Sequence, residues 1–311
     1  MVEFSYSVSP ILKKSLEIVE GLRRNILLIP LSPKTELRYR WEATINRIYW
    51  SLTLSENNLG KKEIIKIVTT QPKKKLSPEG RDVINYRNAL RYIHQYWLVT
   101  PRMVTVKSLQ TLHNLACSGN FRIPEATVKQ MLDYLQAAPE HPVVQAAAAQ
   151  IQCMGIAPFT DGNGRTSRLL SYLFLCKQGY DTRGLLVMEE YWRHNLATFR
   201  GHTQEALKTG NLTLWIEYFT QACIYQLEKA KQDLTSQRFA FESSPSFYHL
   251  NDRQQEILFL LEQPEASITN KKVQGLFKIS QITASRDLAK LVSLDLLFPH
   301  GRGRSVYYTK V

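Results

Sequence analysis

Helical periodicity runs through this chain almost without interruption, and it confines the fold to helices packed on helices before any motif is considered. In SPILKKSLEIVEGLRRNILLI, Ile11, Leu12, Leu16, Ile18, Val19 and Leu22 recur at three- and four-residue spacings. TELRYRWEATINRIYWSLTL repeats the pattern, with Trp41, Ile45 and Ile48 on one stripe. SPEGRDVINYRNALRYIHQYW opens on Ser77 and Pro78, a cap followed by a proline suited to the first helical position. TVKSLQTLHNLAC, PEATVKQMLDYLQAA and HPVVQAAAAQIQCMG continue in the same way, while strand-like alternation is absent until about the last fifteen residues. The predicted fold class is mainly α, with a small α+β module at the C-terminal end.

A length of 311 residues suits one large domain and a small one. AFESSPSFYHLND, rich in serine and holding Pro245, predicts a linker over residues 238–249. No apolar run of about 18 residues exists, so no membrane span or membrane partner is expected. MVEFSYSVSPILKK has an early acid and no apolar core, which argues against a secretory signal. Cys117, Cys153, Cys176 and Cys223 are scattered without a C-x-x-C pair, a pattern that suits reduced thiols in a cytoplasm. The formal charge of +13 favours polyanionic partners. Much of that excess lies at Arg23, Arg24, Arg38, Arg40, Arg47, Lys61, Lys62 and Lys73 to Lys75, where a solvated basic face is an equal reading. Charge alone therefore assigns no nucleic-acid function.

The chemistry points to residues 157–168, APFTDGNGRTSR. Gly162 and Gly164 allow a positive φ or a close backbone approach, and RTSRLLSYLFLCKQG reads as a buried helix ending at Gly179. A helix N-terminus entered through glycines offers free N–H groups and the positive end of the helix dipole, which together make an anion site. Arg165 and Arg168, three residues apart, are placed to fork onto phosphate oxygens. Asp161 sits where its charge would repel phosphate unless a cation such as Mg²⁺ lies between them.

These residues resemble the signature of the Fic (filamentation induced by cAMP) family, H-x-F-x-[D/E]-G-N-G-R-x-x-R, at every position but the first. The resemblance covers roughly residues 1–235. It implies a helical extension over 1–100, with an inhibitory-helix region near 47–60, and a Fic core over 101–237. It also implies that Phe159 anchors the loop and that Asp161 holds Mg²⁺ against ATP. Gly162, Asn163 and Gly164 would line the anion hole, with Arg165 beside it and Arg168 on the γ-phosphate. Family members mostly transfer AMP to a Ser, Thr or Tyr hydroxyl of a target protein. The phosphate-transferring Doc branch has lysine where this chain has Gly164, so the implied orientation is that of AMP transfer.

The family's catalytic histidine, which takes the hydroxyl proton, is here Ala157. His113, His141, His194 and His202 lie elsewhere, and nothing in the sequence brings one to the loop. Either Ala157 marks a natural degenerate member, or the histidine was removed deliberately. The family's inhibitory pattern [S/T]-x-x-x-E-[G/N] is also irregular: with Ser51 aligned, Ser55 stands where glutamate belongs and Glu56 comes one residue late. That offset turns a helical side chain by about 100°, and Glu56 reaches Arg168 only if the helix ends there. CSGNFRIPEATV is an abbreviated version of the stretch that forms a target-aligning flap in many relatives. Irregular base, inhibitor and flap together favour natural drift. The expected function is protein adenylyl transfer with ATP and Mg²⁺, impaired at Ala157. The alternative is a catalytically silent ATP-binding regulator that binds DNA.

Residues 250–311 have the pattern of a winged helix-turn-helix and are similar to many bacterial DNA-binding domains. Asn251 and Gln254 form a capping-box pair, and Ser280 caps a third helix predicted to bury Ile282, Leu288, Leu291 and Leu294. LFPHGRGRSVYYT predicts two strands around a turn. Gln281, Thr283, Ser285 and Arg286 are candidates for base contact, with Arg302, Arg304, Lys271 and Lys272 for phosphates. The competing reading is a dimerisation or docking module, giving a homodimer, with Arg286 paired to Asp287 or Asp295.

Overall fold

The computed structural model describes residues 4–69, 76–137, 140–235, 250–261, 266–294, 296–301, 303 and 306–310. The expected linker over 238–249, Lys73 to Lys75, Asp295, Arg302 and Arg304 lie outside the described residues. The chain forms two compact units: residues 1–29, 43–64 and 76–235 make the first, and residues 30–42, 65–75 and 236–311 the second.

The helices are α1 (Pro10–Leu28), α2 (Pro33–Thr53), α3 (Lys61–Thr69), α4 (Pro78–Tyr96), α5 (Val106–Ala116), α6 (Glu125–Ala137) and α7 (Pro142–Ile156). They continue with α8 (Asn163–Lys177), α9 (Met188–His194), α10 (Leu196–Thr209) and α11 (Thr213–Thr235). Prolines at the first positions of α1, α4 and α7 preset their φ angles, and Ser9, Ser77 and His141 cap them through side-chain acceptors. On α1 the core takes Leu12, Val19 and Ile26, while Ile11 and Ile18 of the expected stripe are solvent-facing. Trp41, Ile45 and Ile48 are all buried, as their spacing predicts.

The centre of the first unit is the α7–α8 pair, with α1 lying along α11. Residues Val143 to Cys153 of α7 are all buried, and so are Thr166 to Cys176 of α8. Both helices are thus buried on every side along these stretches, which places them in the interior of the bundle, with Gln145, Gln150, Gln152, Arg168 and Ser171 among the buried residues. The alanine run Ala146 to Ala149 gives α7 a thin surface, and the Trp215 indole donates to the Ala147 carbonyl at 2.8 Å. The polypeptide between these two helices, 157–162, is therefore held between rigid elements.

The second unit contains α12 (Asp252–Leu260), β1 (Ser267–Thr269), α13 (Asn270–Phe277), α14 (Gln281–Ser293), β2 (Leu297–His300) and β3 (Tyr307–Lys310). The strands form an antiparallel sheet in the order β1-β3-β2, with Ile268 opposite Tyr308 and Pro299 opposite the same residue on the other side. The expected capping box is present: Asn251 Oδ1 accepts the Gln254 amide at 2.9 Å and Gln254 Oε1 accepts the Asn251 amide at 3.1 Å. Strand β1 is a departure from the local sequence: ITNKKVQGLF reads as one short helix from Ile268, whereas the helix starts at Asn270 and Ile268 lies in the strand. Ile282 is another, since it is 65% exposed and Ala284 takes the core position with Leu288 and Leu291.

Candidate functional site

Helix α7 stops at Ala157, which adopts the left-handed conformation (φ 42°, ψ 67°), and Pro158 prevents continuation. The next residues are fixed by a second segment. Phe121 pairs antiparallel with Phe159, the Arg122 amide donates to the Pro158 carbonyl at 2.9 Å, and the Thr160 amide donates to the Asn120 carbonyl at 2.9 Å. Arg122 Nε also donates to the Ala157 carbonyl at 2.8 Å. The short stretch after Gly119 thus acts as a strap along the loop.

Asn163 closes the loop from the other end. Its amide oxygen accepts the Phe159 N–H at 3.0 Å and its Nδ2 donates to the Phe159 carbonyl at 2.7 Å. Phe159 is buried, with the His113 ring stacked on it at 3.6 Å and 2°. His113 is itself fully buried and bonded on both sides, Nδ1 to Thr166 Oγ1 (2.9 Å) and Nε2 to the Gly119 carbonyl (3.2 Å). Burial pushes its pKa down, so it stays a neutral imidazole. It touches the loop but is sealed from any incoming hydroxyl. His141 caps α7 and meets Glu20, His194 packs on Trp50, and His202 on Tyr218. None of the four supplies a base at residue 157.

Gly162 is the N-cap of α8 at φ 72°, with no side-chain cap, and the amides of Asn163, Gly164 and Arg165 have no acceptor among the described residues. Asp161 is exposed, and its Oδ1 takes the Gly162 amide at 2.6 Å. The two arginines diverge. Arg165 is ion-paired to Asp82 of α4 at 2.8 Å. Arg168 is 6% exposed and reaches the end of α2: Nε donates to Ser51 Oγ (3.0 Å), and Nη2 to the Ser51 carbonyl (2.9 Å) and Ser55 Oγ (2.8 Å). Glu56 follows with φ 64° and is exposed, lining a cleft of about 190 Å³ with Asn57, Asn58, Arg193 and Arg200. Ser55, rather than Glu56, therefore meets Arg168.

Behind Arg168 lies a charge cluster that sequence reasoning missed. Arg47, 1% exposed, stands 3.8 Å from the centre of the Tyr172 ring and donates to the Leu186 carbonyl. Glu189, 3% exposed, acts electrostatically on both Arg47 and Arg168, and Tyr86 Oη donates to it at 3.5 Å. Burial raises the Glu189 pKa, and the two guanidinium groups oppose that rise. Burial likewise lowers the pKa of Arg168. Two buried cations thus act on the same carboxylate, Glu189, in a low-dielectric setting. The available signal was the run LLVMEEYW, an acid set in an apolar stretch.

What the fold and the loop define is an α-helical domain whose central helix pair is joined by a glycine-bearing loop that leads into an uncapped helix entrance. Residues 87–175 match the Fic/DOC family model, and the chain carries a Fic/DOC family domain there. The protein adenylyltransferase Fic of Aedes aegypti is 27% identical over 180 residues, covering 49% of this chain and 36% of that protein. The protein adenylyltransferase Fic of Nematostella vectensis is 26% identical over 196 residues, covering 54% and 46%. The chain spans less than half the length of these relatives. A crystal structure of a Fic family protein from Desulfovibrio desulfuricans G20 covers 99% of this chain and 98% of its own, with TM-score 0.65 and 16% identity. Fic-1 of C. elegans covers 71% and 72%, with TM-score 0.57 and 20% identity. At such identities the likeness is one of fold. No helix of the described residues is long and apolar enough to cross a membrane.

Proposed function

We propose that the first unit binds ATP with Mg²⁺ in the manner of a protein adenylyltransferase, and that AMP transfer by this chain is very weak or absent. The observation that carries the reading is Arg168: a buried guanidinium held by serine oxygens and sharing Glu189 with Arg47, one turn inside an uncapped helix N-terminus. Phosphate oxygens would give the guanidinium charged acceptors in place of the neutral serine oxygens. Asp161 keeps part of its exposed carboxylate free for a cation. No cluster of three or more His, Cys, Asp or Glu among the described residues could hold a metal unaided, so Mg²⁺ fits here as an ion carried partly by phosphate. When bound, it would neutralise charge between Asp161 and the nucleotide.

Transfer would form a bond from a target hydroxyl oxygen to the α-phosphorus, break the bond to the β-phosphate oxygen, and release pyrophosphate. The hydroxyl proton must leave in that step. At residue 157 a methyl group stands where the acceptor would be, and His113 has both nitrogens engaged. Calorimetry with ATP and Mg²⁺ is expected to give measurable heat and a raised melting temperature, both lost in Arg168→Ala. Labelled ATP is expected to mark no protein, alone or in lysate. Robust labelling overturns the silent reading, and absence of ATP binding overturns the site.

The contact between Arg168 and Ser55 gives a sharper expectation. Ser55→Glu puts a carboxylate within reach of Arg168 Nη2, converting a neutral contact into an ion pair that competes with the triphosphate. ATP affinity is expected to fall at least about tenfold, or roughly 1.4 kcal/mol. Unchanged affinity would remove Arg168 from the nucleotide site.

A second reading concerns the C-terminal unit, taken as a winged helix that binds DNA. The observation favouring it is that Asp287 is buried and taken by Arg253 (3.0 Å), Gln254 (2.7 Å) and Asn251 (3.3 Å). Arg286 does not pair with Asp287, contrary to one expectation, and is exposed. Thr283 is a weaker candidate than its position suggested, since its hydroxyl meets Ser280 Oγ at 3.0 Å.

A further inference from the structure

The outward face of α14 is a single stripe. Gln281, Ile282, Ser285, Arg286 and Ala289 are exposed, at intervals that one side of a 3.6-residue helix brings together, while Ala284, Asp287, Leu288 and Leu291 face the core. The stripe carries no carboxylate, because the one acid of this helix is turned inward. Asn270 ties the start of α13 to the same face: its Nδ2 donates to Ser285 Oγ at 2.8 Å and to the Gln281 carbonyl at 3.4 Å. Lys271 and Lys272, both exposed, follow in the first turn of α13. They therefore flank the stripe at its N-terminal end.

Ile282 has no folding role to explain it. A branched apolar side chain, 65% exposed, sits in the first turn of a helix whose core positions are filled by others. Its neighbours on the surface are an amide, a hydroxyl and a guanidinium. The major groove of duplex DNA presents both kinds of partner at one depth: acceptor and donor edges of bases, and the apolar 5-methyl group of thymine.

We propose that the α14 stripe seats in the major groove with Ile282 against a thymine methyl, so that Ile282 specifies a T·A pair while Arg286 donates to an adjacent purine. Lys271 and Lys272 meet the phosphates on one side. The inference rests on the DNA reading above and adds to it the element of specificity. Charge complementarity argues for a polyanion over an acid-rich or apolar protein surface, given an acid-free face on a chain of net charge +13.

The test uses the full chain. Duplexes selected from a random library are compared by fluorescence anisotropy with versions carrying uracil for thymine at one position at a time, which removes the methyl alone. At one position the loss is expected to weaken binding about fourfold, the contribution of one buried carbon. Ile282→Ala is expected to bind thymine and uracil duplexes alike, and exposure of the residue lets that variant keep its fold and melting temperature. Arg286→Ala is expected to weaken binding and relax preference at a neighbouring position. Indifference of the wild-type chain to every uracil, or enrichment of no sequence, overturns the role of Ile282 and leaves the DNA reading standing. No binding even at low ionic strength overturns both. Self-association abolished by Ile282→Ala, without DNA binding, assigns the stripe to a protein contact and also overturns the proposal.

Discussion

Ala157→His is expected to raise AMP transfer from ATP and Mg²⁺ by about two to four orders of magnitude, the usual worth of a positioned general base. The backbone is ready for it. Residue 157 is left-handed at φ 42°, a region histidine enters more readily than most residues. Its carbonyl is already held by Arg122 and its neighbours by the 120–122 strap, so the loop does not have to form around the new ring. Ala157→Gln serves as the control, because it adds bulk and polarity without a basic nitrogen and is expected to stay silent. Transfer by the histidine variant is expected to climb with pH through about 6.5, where imidazole loses its proton and becomes able to accept one. Labelled-ATP incorporation across a pH series checks this. If the histidine and glutamine variants are equally inert while both bind ATP, the missing base is not what silences the chain. The contact of Ser51 and Ser55 with Arg168 then becomes the next suspect.

Local signals explain which parts of this architecture were legible in the sequence. Ser77 with Pro78, and Asn251 with Gln254, encode their helix starts within a few residues, and the structure has both. The glycine turn and the helix entrance after it are likewise local. The partners of that entrance are not. Arg168 chooses Ser51 and Ser55 from more than a hundred residues away, and the choice turns on where α2 ends. The helix stops at Thr53, the next residues leave it as a turn, and Glu56 swings to a positive φ. The register with Ser51 aligned does put Ser55 at the position facing Arg168, but it does not give the positive φ that keeps Glu56 away even though the helix ends. Ile282 misled for a related reason: it is apolar, but the buried rhythm of α14 is set by Ala284, Leu288 and Leu291. Three-residue β1 was too short to show alternation at all. Glu189 needed the fold, because only tertiary packing brings it between Arg47 and Arg168.

Gly162→Ala is the substitution with the largest expected cost to stability. A Cβ built there would lie 2.6 Å from both Cβ and Sγ of Cys117 and 3.3 Å from His113 Cε1. None of these can retreat easily: Cys117 and His113 are buried at the end of α5, and His113 is clamped between Phe159, Thr166 and Gly119. The residue also sits at φ 72°, which adds left-handed strain of about 1 kcal/mol to overpacking of about 1–3 kcal/mol. For a unit of this size the sum corresponds to a fall in melting temperature of roughly 5–15 °C. Because the crowded atoms lie under the first turn of α8, ATP affinity is expected to fall with it. Gly201→Ala provides the opposite sign, since nothing lies within 4 Å of its Cβ position and it stands inside α10, where alanine is favoured by up to about 1 kcal/mol. The Cys117→Gly background removes both crowding atoms. There the added cost of Gly162→Ala is expected to shrink to the backbone strain alone, a coupling a double-mutant cycle measures directly. A Gly162→Ala chain that melts and binds ATP like the wild type would mean that α5 does not press on the helix entrance. The anion site would then be a plain surface turn.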